Sequence, residues 1–227
     1  MAAHPLDRPV WSSLTGRQAH LAIASGGALR MDPNFGLFAA VAEETAESLA
    51  DLAALVRAHG PSGFVELVEP PPIPGTTVLS SALCWQMAAK AITPLKPVDF
   101  EIIALSDADA PEMLALATLT KPGPFFSRTH QLGAFVGVKV GGELAAMAGE
   151  RLRPDGFTEV SGVCTRPDFR GRGYAAGLMA HVASKILARG ETPFLHSYAD
   201  NAGANALYQA LGFERRADLW FTVLSAD

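Results

Sequence analysis

The chain has 227 residues, 49% of them hydrophobic, and carries a formal net charge of −5. This is enough apolar material to bury a core in one large domain or two smaller ones, and the acidic balance without a basic stripe argues against nucleic acid as a partner. No apolar run is long enough to span a membrane and the N-terminus lacks a signal-peptide pattern, so we expect a cytoplasmic protein with no membrane partner.

Two proline-rich segments, at residues 69–77 and 93–99, interrupt the chain. Proline fixes φ and cannot donate a hydrogen bond to a sheet, so such segments rarely continue a helix or a central strand. The second segment predicts a domain boundary. We therefore divide the chain into an accessory domain at 1–97 and a second domain at 98–227.

In the accessory domain, apolar residues at helical spacing predict one long helix over residues 36–60, with Gly60 as its stop. Apolar runs at 64–68 and 77–89 predict strands. No cluster of catalytic residue types stands out here. The pattern indicates a small α/β domain with a structural or substrate-facing role.

The second domain has a denser pattern of alternating strands and helices. Its turns include the pair Gly141–Gly142 and the segment 153–156, both typical of hairpins. The predicted order is β-α-β-β-β-α-β-α-β, which indicates an α/β (α+β) fold with a mixed, mostly antiparallel sheet flanked by helices. The strands are predicted at 100–105, 132–140, 142–152, 157–165, 193–198 and 218–224, and the helices at 109–120, 174–190 and 201–213.

A basic, glycine-containing turn, RPDFRGRGYA at 166–175, joins a predicted strand to a predicted helix. The first N–H groups of a helix have no internal partner and attract anions, and Gly171 and Gly173 allow a ligand to approach the backbone closely. The turn lacks the Lys–Ser/Thr pair of a Walker loop and the third glycine of a dinucleotide fingerprint. It fits the R-x-x-G-x-A turn of acyl-CoA transferases, and the alternative is a plain surface loop with solvated arginines.

Residues 99–227 resemble the GNAT superfamily of N-acetyltransferases. The resemblance rests on the three antiparallel strands, on the R-x-x-G-x-A turn with its helix, and on the segment NAGANALYQALGF at 201–213. The segments at 120–133 and 193–201 resemble the branch that contains glycine N-acyltransferase and its bacterial relatives. In that branch the N-terminal region is often a degenerate GNAT-like half, which the resemblance implies as an option for residues 1–97.

The resemblance also implies which residues bind coenzyme A. The strand before the turn would present backbone groups to the pantetheine arm, the N–H groups of the turn would hold the pyrophosphate, and an asparagine would hydrogen-bond the pantetheine. The residues at these positions are Val163, Cys164, Thr165, Arg170, Gly171, Arg172, Gly173, Tyr174, Ala175 and Asn201.

Three residues are candidates for catalysis. By resemblance, Tyr208 would lie near the sulfur of coenzyme A, where its phenol could protonate the departing thiolate; its alternative role is a core aromatic. Glu159 is the candidate base, the alternative being a solvent-facing carboxylate. His196 is a second candidate base or substrate contact, although a lone strand histidine is more often structural. At most one of the adjacent Glu150 and Arg151 can face the acceptor, because successive strand residues point to opposite faces.

Cysteine chemistry and metal binding are not expected. Cys84 and Cys164 are the two cysteines, and their spacing fits neither a zinc site nor a disulfide framework. Direct acyl transfer needs no covalent step, so Cys164 is interpreted as a small buried hydrophobe.

We therefore predict an acyl-CoA-dependent N-acyltransferase that moves acetyl from acetyl-CoA to a primary amine of a small molecule or amino acid, within a ternary complex. The alternatives are acetylation of a protein N-terminus or lysine, and a CoA-binding module without catalysis. A nucleotide-binding regulator is disfavoured by the failed Walker and dinucleotide matches. The sequence leaves open the acceptor, the acyl length, and whether the protein is a monomer or a homodimer.

Overall fold

The computed structural model describes residues 4–96 and 99–227, and its strands form one mixed sheet of eleven. The order across the sheet is β1-β2-β3-β4-β11-β5-β10-β9-β8-β7-β6. The strands are β1 (Ala22–Ser25), β2 (Ala28–Met31), β3 (Phe38–Val41), β4 (Ser62–Glu66), β5 (Thr76–Ala88), β6 (Ile103–Leu105), β7 (Phe135–Val140), β8 (Glu143–Glu150), β9 (Phe157–Thr165), β10 (Thr192–Tyr198) and β11 (Glu214–Ala226). The helices are α1 (Pro9–Thr15), α2 (Ala46–His59), α3 (Ala110–Thr120), α4 (Tyr174–Ala188) and α5 (Ala202–Ala210).

The two halves of the chain repeat one connectivity. In the first half, antiparallel strands lead to β3, and α2 crosses over to β4, which is parallel to β3. In the second half, antiparallel strands lead to β9, and α4 crosses over to β10, which is parallel to β9. Each half then ends in a long strand that pairs with the other half: β5 with β10, and β11 with β4. This repeat supports the predicted option of a degenerate GNAT-like first half, which stays a prediction.

Helices cover both faces of the sheet. In the first half, Phe38 and Ala40 of β3 pack in the cluster that contains α1, whereas Ala39 and Val41 pack with α2. In the second half, Met147 of β8 packs with α3, and its neighbours pack with α4. Because both faces are covered, these strands are continuously apolar rather than alternating.

The prediction of one long helix at 36–60 is wrong for the residues before Ala46. Residues Phe38–Val41 form β3, and the helix begins only at Ala46, where the Thr45 hydroxyl accepts a hydrogen bond from the Ser48 N–H at 3.2 Å. Every residue of β3 is buried. A short strand buried on both faces gives the same apolar run as part of a helix, so periodicity alone could not separate them.

The predicted β-α-β-β-β-α-β-α-β order of the second half is confirmed, as is the mixed, mostly antiparallel sheet flanked by helices. The boundary predicted between residues 97 and 98 falls outside the described residues and stays a prediction. Within the described ranges, β5 from before it lies between β10 and β11 from after it. Across the same ranges, no helix has the length and apolar content needed to cross a membrane.

Candidate active site

Strands β9 and β10 separate in the middle of the sheet and open a wedge. They pair in parallel only between Thr192–Phe194 and Phe157–Glu159. Beyond that point β9 stays paired with β8, whereas β10 stays paired with β5. Among the described residues, the edge of β9 that faces the wedge has no further strand partner, so its backbone N–H and C=O groups are available for other hydrogen bonds. The predicted pantetheine contacts, Val163–Thr165, lie on this part of β9.

The Cys164 side chain belongs to the core. It is 7% exposed and packs in the cluster that contains Met113 and Leu116 of α3. Burial raises the pKa of its thiol to about 11. A thiol that stays protonated at neutral pH is a poor nucleophile, in agreement with its interpretation as a small buried hydrophobe.

The basic turn leads into an open helix N-terminus. Gly171 has φ 77° and Gly173, the residue that precedes α4, has φ 79°. Helix α4 has no side-chain cap and no acidic residue in its first turn, so its first N–H groups are free of intramolecular partners there. Arg170 and Arg172 are exposed, and neither forms an ion pair with a described residue. The chemistry of this turn therefore suits an anion.

Two residues of the turn, Arg166 and Tyr174, have side chains that are already engaged by other parts of the chain. The Arg166 guanidinium pairs with Glu143 and with Asp168, so its charge is already compensated within the loop. The Tyr174 side chain is buried against Phe100, with ring centroids 4.8 Å apart. Only the backbone of Tyr174 is left to contact a ligand.

The corresponding turn of the first half, between β3 and α2, has the opposite character. It contains Glu43 and Glu44 and no glycine, and the Thr45 side chain already occupies the N-terminus of α2. Two carboxylates and a filled cap position would repel a phosphate. The anion-binding features are therefore confined to the turn before α4.

A cleft of about 100 Å³ lies where β10 ends, next to the wedge. Three of the predicted site residues line it together: Asn201, Tyr208 and His196. The first half of the chain also contributes to its walls. The sequence allowed a substrate-facing role for this half but identified none of the residues involved. The other lining residues are Phe38, Val65, Cys84, Pro122, Gly123, Pro124, Arg151, Ser197, Tyr198 and Phe221.

Helix α5 positions two of these residues. Asn201 caps the helix, and its Oδ1 accepts a hydrogen bond from the Ala204 N–H at 3.3 Å. Tyr208 lies about two turns further along, and burial raises the pKa of its phenol. A raised pKa keeps the phenol protonated at neutral pH, which is the state that a proton donor needs.

Glu159 lies behind the cleft, and the solvent-facing alternative for it is wrong. Its side chain is fully buried, and Arg151 binds it through both carboxylate oxygens, from Nε and from Nη2, at 2.8 Å each. The Leu152 N–H donates to the same carboxylate at 3.3 Å, and His196 Nδ1 lies 2.7 Å from Oε1. Burial alone would raise the pKa of Glu159, but Arg151 and His196 hold it well below its usual value. The carboxylate is ionised and has no free lone pair facing the cleft.

His196 is held at both ring nitrogens. Nδ1 faces Glu159, and Nε2 lies 3.1 Å from Nε2 of Gln86. The Gln86 amide is oriented by Arg216, which donates to its Oε1 at 2.8 Å, and by donation to the Leu6 carbonyl at 2.9 Å. These partners assign a neutral imidazole with its proton on Nδ1 and with Nε2 accepting from Gln86.

Sequence reasoning found part of this arrangement. Glu150 and Arg151 do point to opposite faces, since Glu150 pairs with Arg189 at 2.7 Å while Arg151 lines the cleft. Gln86 and Cys84 were missed. They come from β5, which reaches the site only because it pairs with β10. No local sequence pattern predicts that pairing.

Replacing Glu159 with glutamine is expected to lower the free energy of unfolding by about 3–5 kcal/mol at neutral pH, because the buried Arg151 charge loses its counterion. The folded-state pKa of Glu159 is depressed, so its stabilisation is complete above the unfolded value of 4.5 and is lost as pH falls through the folded pKa. The cost of the substitution should therefore shrink in strong acid. Denaturant unfolding across pH measures this.

The matched control is Glu150→Gln on the opposite face of β8. Its partner Arg189 has 36% of its side chain exposed, so water can solvate the charge that is left. We expect a smaller loss of stability there. Equal losses in the two variants would contradict the importance of the Glu159–Arg151 pair.

No cluster of three or more potential metal ligands occurs within residues 4–96 and 99–227. The polar groups of the cleft are instead an amide, two phenols, a hydroxyl, a thiol, an imidazole and a guanidinium. These groups bind and orient organic substrates and transfer protons.

Comparisons with known proteins identify the family to which the chain is similar. The FR47-like protein family matches residues 135–221. A protein of Novosphingobium aromaticivorans DSM 12444, assigned to the GNAT family of acetyltransferases, is 48% identical, with 99% of this chain and all of that chain covered and a TM-score of 0.92. No curated protein sequence matches the chain at a significant level.

Two more distant structures share the fold. A GCN5-related N-acetyltransferase of Kribbella flavida is 20% identical over 97% of this chain and 96% of its own, with a TM-score of 0.68. A GCN5-related N-acetyltransferase-like protein of Streptococcus suis is 15% identical over 96% and 92%, with a TM-score of 0.61. The whole-chain relative at 48% identity shows that the chain belongs to the GNAT family of acetyltransferases.

Proposed function

We propose that the protein transfers an acetyl group from acetyl-CoA to the primary amine of a small molecule or an amino acid, by direct attack in a ternary complex. The observation that carries the proposal is the alignment of three features along one path. An uncapped, glycine-rich helix N-terminus lies at one end, the open edge of β9 follows, and the cleft with Tyr208 lies beyond.

The chain fits coenzyme A at each of these places. The N–H groups from Arg170 to Ala175 would bind the pyrophosphate, with Arg170 and Arg172 adding charge-assisted bonds. The space above Gly171 and Gly173 is open, since a Cβ built at either position meets no atom within 4 Å. Val163, Cys164 and Thr165 would bind the pantetheine through their backbone, and Asn201 through its side chain.

The chemistry would need no covalent enzyme intermediate. The amine nitrogen attacks the thioester carbonyl carbon, a carbon–nitrogen bond forms, and the carbon–sulfur bond breaks. The acceptor ammonium would first lose a proton to water at the mouth of the cleft, so that the neutral amine attacks. After the attack, the nitrogen would release a second proton to water, and Tyr208 would donate its phenolic proton to the departing thiolate and then be reprotonated from water.

The role of Glu159 and His196 follows from their contacts. Glu159 is saturated by hydrogen bonds, and both nitrogens of His196 are engaged, so neither is poised to take a proton from the amine directly. We propose that they act as positioning residues. Glu159 fixes the Arg151 guanidinium, and His196 fixes Glu159.

Release of free thiol from acetyl-CoA over a panel of amines tests this function, together with thermal unfolding in the presence of CoA or ATP. We expect thiol release that depends on the amine, and a rise in melting temperature with CoA but not with ATP. A rise with CoA and no turnover on any small amine, amino acid or peptide would indicate a binding module. A rise with ATP alone would contradict the proposal. Turnover on peptides only would move the acceptor to a protein N-terminus or lysine.

A further inference from the structure

One nitrogen of the Arg151 guanidinium has no hydrogen-bond partner among the described residues. Nε and Nη2 are committed to Glu159, and Nη1 makes no hydrogen bond within the described ranges. The residue is only 9% exposed and lines the cleft. Nη1 points toward the 122–124 wall, since it lies 3.9 Å from a Cβ built at Gly123, which lines the same cleft. A buried cation therefore presents a free donor to the space that an acceptor would fill.

The donor is held in a fixed position. Glu159 accepts two parallel hydrogen bonds from the Arg151 guanidinium. The carbon of that guanidinium lies 4.6 Å from the centre of the Phe38 ring. Bidentate pairing and stacking on an aromatic face remove most of the rotational freedom of the side chain. A fixed donor loses little entropy when it binds a ligand, so it can discriminate between ligands rather than adapt to all of them.

The rest of the cleft lacks a group that would attract a second positive charge. None of its lining residues is an aspartate or a glutamate, and His196 is neutral. Several walls are apolar, including Phe221, Val65 and Pro124. A polyamine would have to leave its second charge unpaired here, at a high desolvation cost.

We propose that Arg151 is a specificity-determining residue that binds a carboxylate of the acceptor through Nη1. The acceptor class is then a primary amine that bears a carboxylate and whose remaining part is uncharged and apolar, such as an α-amino acid with an apolar side chain. This inference rests on the proposed acetyl transfer and names the acceptor for it. A guanidinium donor recognises a carboxylate by charge-assisted hydrogen bonding, and an amide or a hydrogen at the same position cannot replace it.

The test compares acceptors that differ only in the carboxylate: L-phenylalanine, L-phenylalaninamide and 2-phenylethylamine, and likewise L-leucine and isoamylamine. We expect kcat/KM to be roughly 10- to 100-fold higher for each carboxylate. The same preference should fall to about one in the double variant Arg151→Met/Glu159→Gln, which removes the buried pair without leaving either charge alone. Arg151→Lys keeps the positive charge but lacks the planar guanidinium with its several donors. It should show an intermediate preference for the carboxylate.

The matched control is Arg189→Met/Glu150→Gln, which removes the neighbouring ion pair on the opposite face of β8. It should keep the full preference for the carboxylate. Equal use of the amine and the amino acid by the unmodified protein would overturn the proposal. A preference for the carboxylate that is retained in Arg151→Met/Glu159→Gln would overturn it too, because another group would then bind the carboxylate.

A binding measurement separates this proposal from the proposed function. Calorimetry with the CoA-saturated protein compares N-acetyl-L-phenylalanine with N-acetyl-2-phenylethylamine. If no amine is acetylated, acetyl transfer fails, yet tighter binding of the carboxylate that is lost in Arg151→Met/Glu159→Gln still supports the site. Equal binding of the two compounds, or no binding of the carboxylate, overturns it.

Discussion

Replacing Gly173 with valine is expected to weaken CoA binding by at least roughly 100-fold. Gly173 has φ 79° and immediately precedes α4, where a side chain would both strain the backbone and fill the open space over the helix N-terminus. A β-branched residue in this left-handed conformation costs about 1–2 kcal/mol or more, and it keeps the phosphate away from the N–H groups. Calorimetric titration with CoA measures the loss, and the melting temperature reports the strain.

Gly190→Val is the matched control for this substitution. Gly190 has φ 77°, no atom lies within 4 Å of a Cβ built there, and it follows the C-terminal end of the same helix. The backbone strain should be similar, while CoA binding should be retained. Arg166→Ala should also bind CoA well, because Arg166 is paired within the loop. A larger loss of CoA affinity in Arg166→Ala than in Gly173→Val would mean that the turn does not hold the pyrophosphate.

Replacing Tyr208 with phenylalanine is expected to lower kcat by roughly 100-fold or more, with little change in the dissociation constant for CoA. The phenol lines the cleft, and burial raises its pKa, so the group is protonated at neutral pH and can donate. Its function as an acid should be lost only as the pH rises through this raised value. Steady-state kinetics with saturating acetyl-CoA and calorimetry with CoA together separate catalysis from binding.

Tyr198→Phe is the control, because Tyr198 lines the same cleft at the end of β10 and is 43% exposed. It should leave kcat nearly unchanged. If Tyr208→Phe retains full activity, or if Tyr198→Phe shows the larger loss, Tyr208 is not the proton donor. Full activity of Tyr208→Phe together with a lower melting temperature of Tyr208→Ala would instead indicate the core-aromatic role, because only the alanine variant loses the ring.

Local patterns were sufficient to predict the elements that local chemistry controls. The turn at 166–175 could be predicted because glycines, a strand before it and an apolar helical stripe after it all lie within residues 157–188. The order of elements after residue 99 was also readable, since hairpin turns and helix stops separate its strands and helices. The strand at Phe38–Val41 was not, because burial on both faces removes the alternation that identifies a strand.

The sequence by itself therefore determined the fold class, the glycine-containing turn at 166–175, and two residues of the 201–213 segment, Asn201 and Tyr208, that line the cleft. Only the tertiary structure decided the surroundings of Glu159 and the free donor of Arg151. It brings β5 beside β10, closes the cleft with Phe38 and Phe221, and places His196 between Glu159 and Gln86. The physical reason is that turns and caps depend on neighbours in sequence, whereas burial, ion pairing and hydrogen-bond saturation depend on strands that pair across more than a hundred residues.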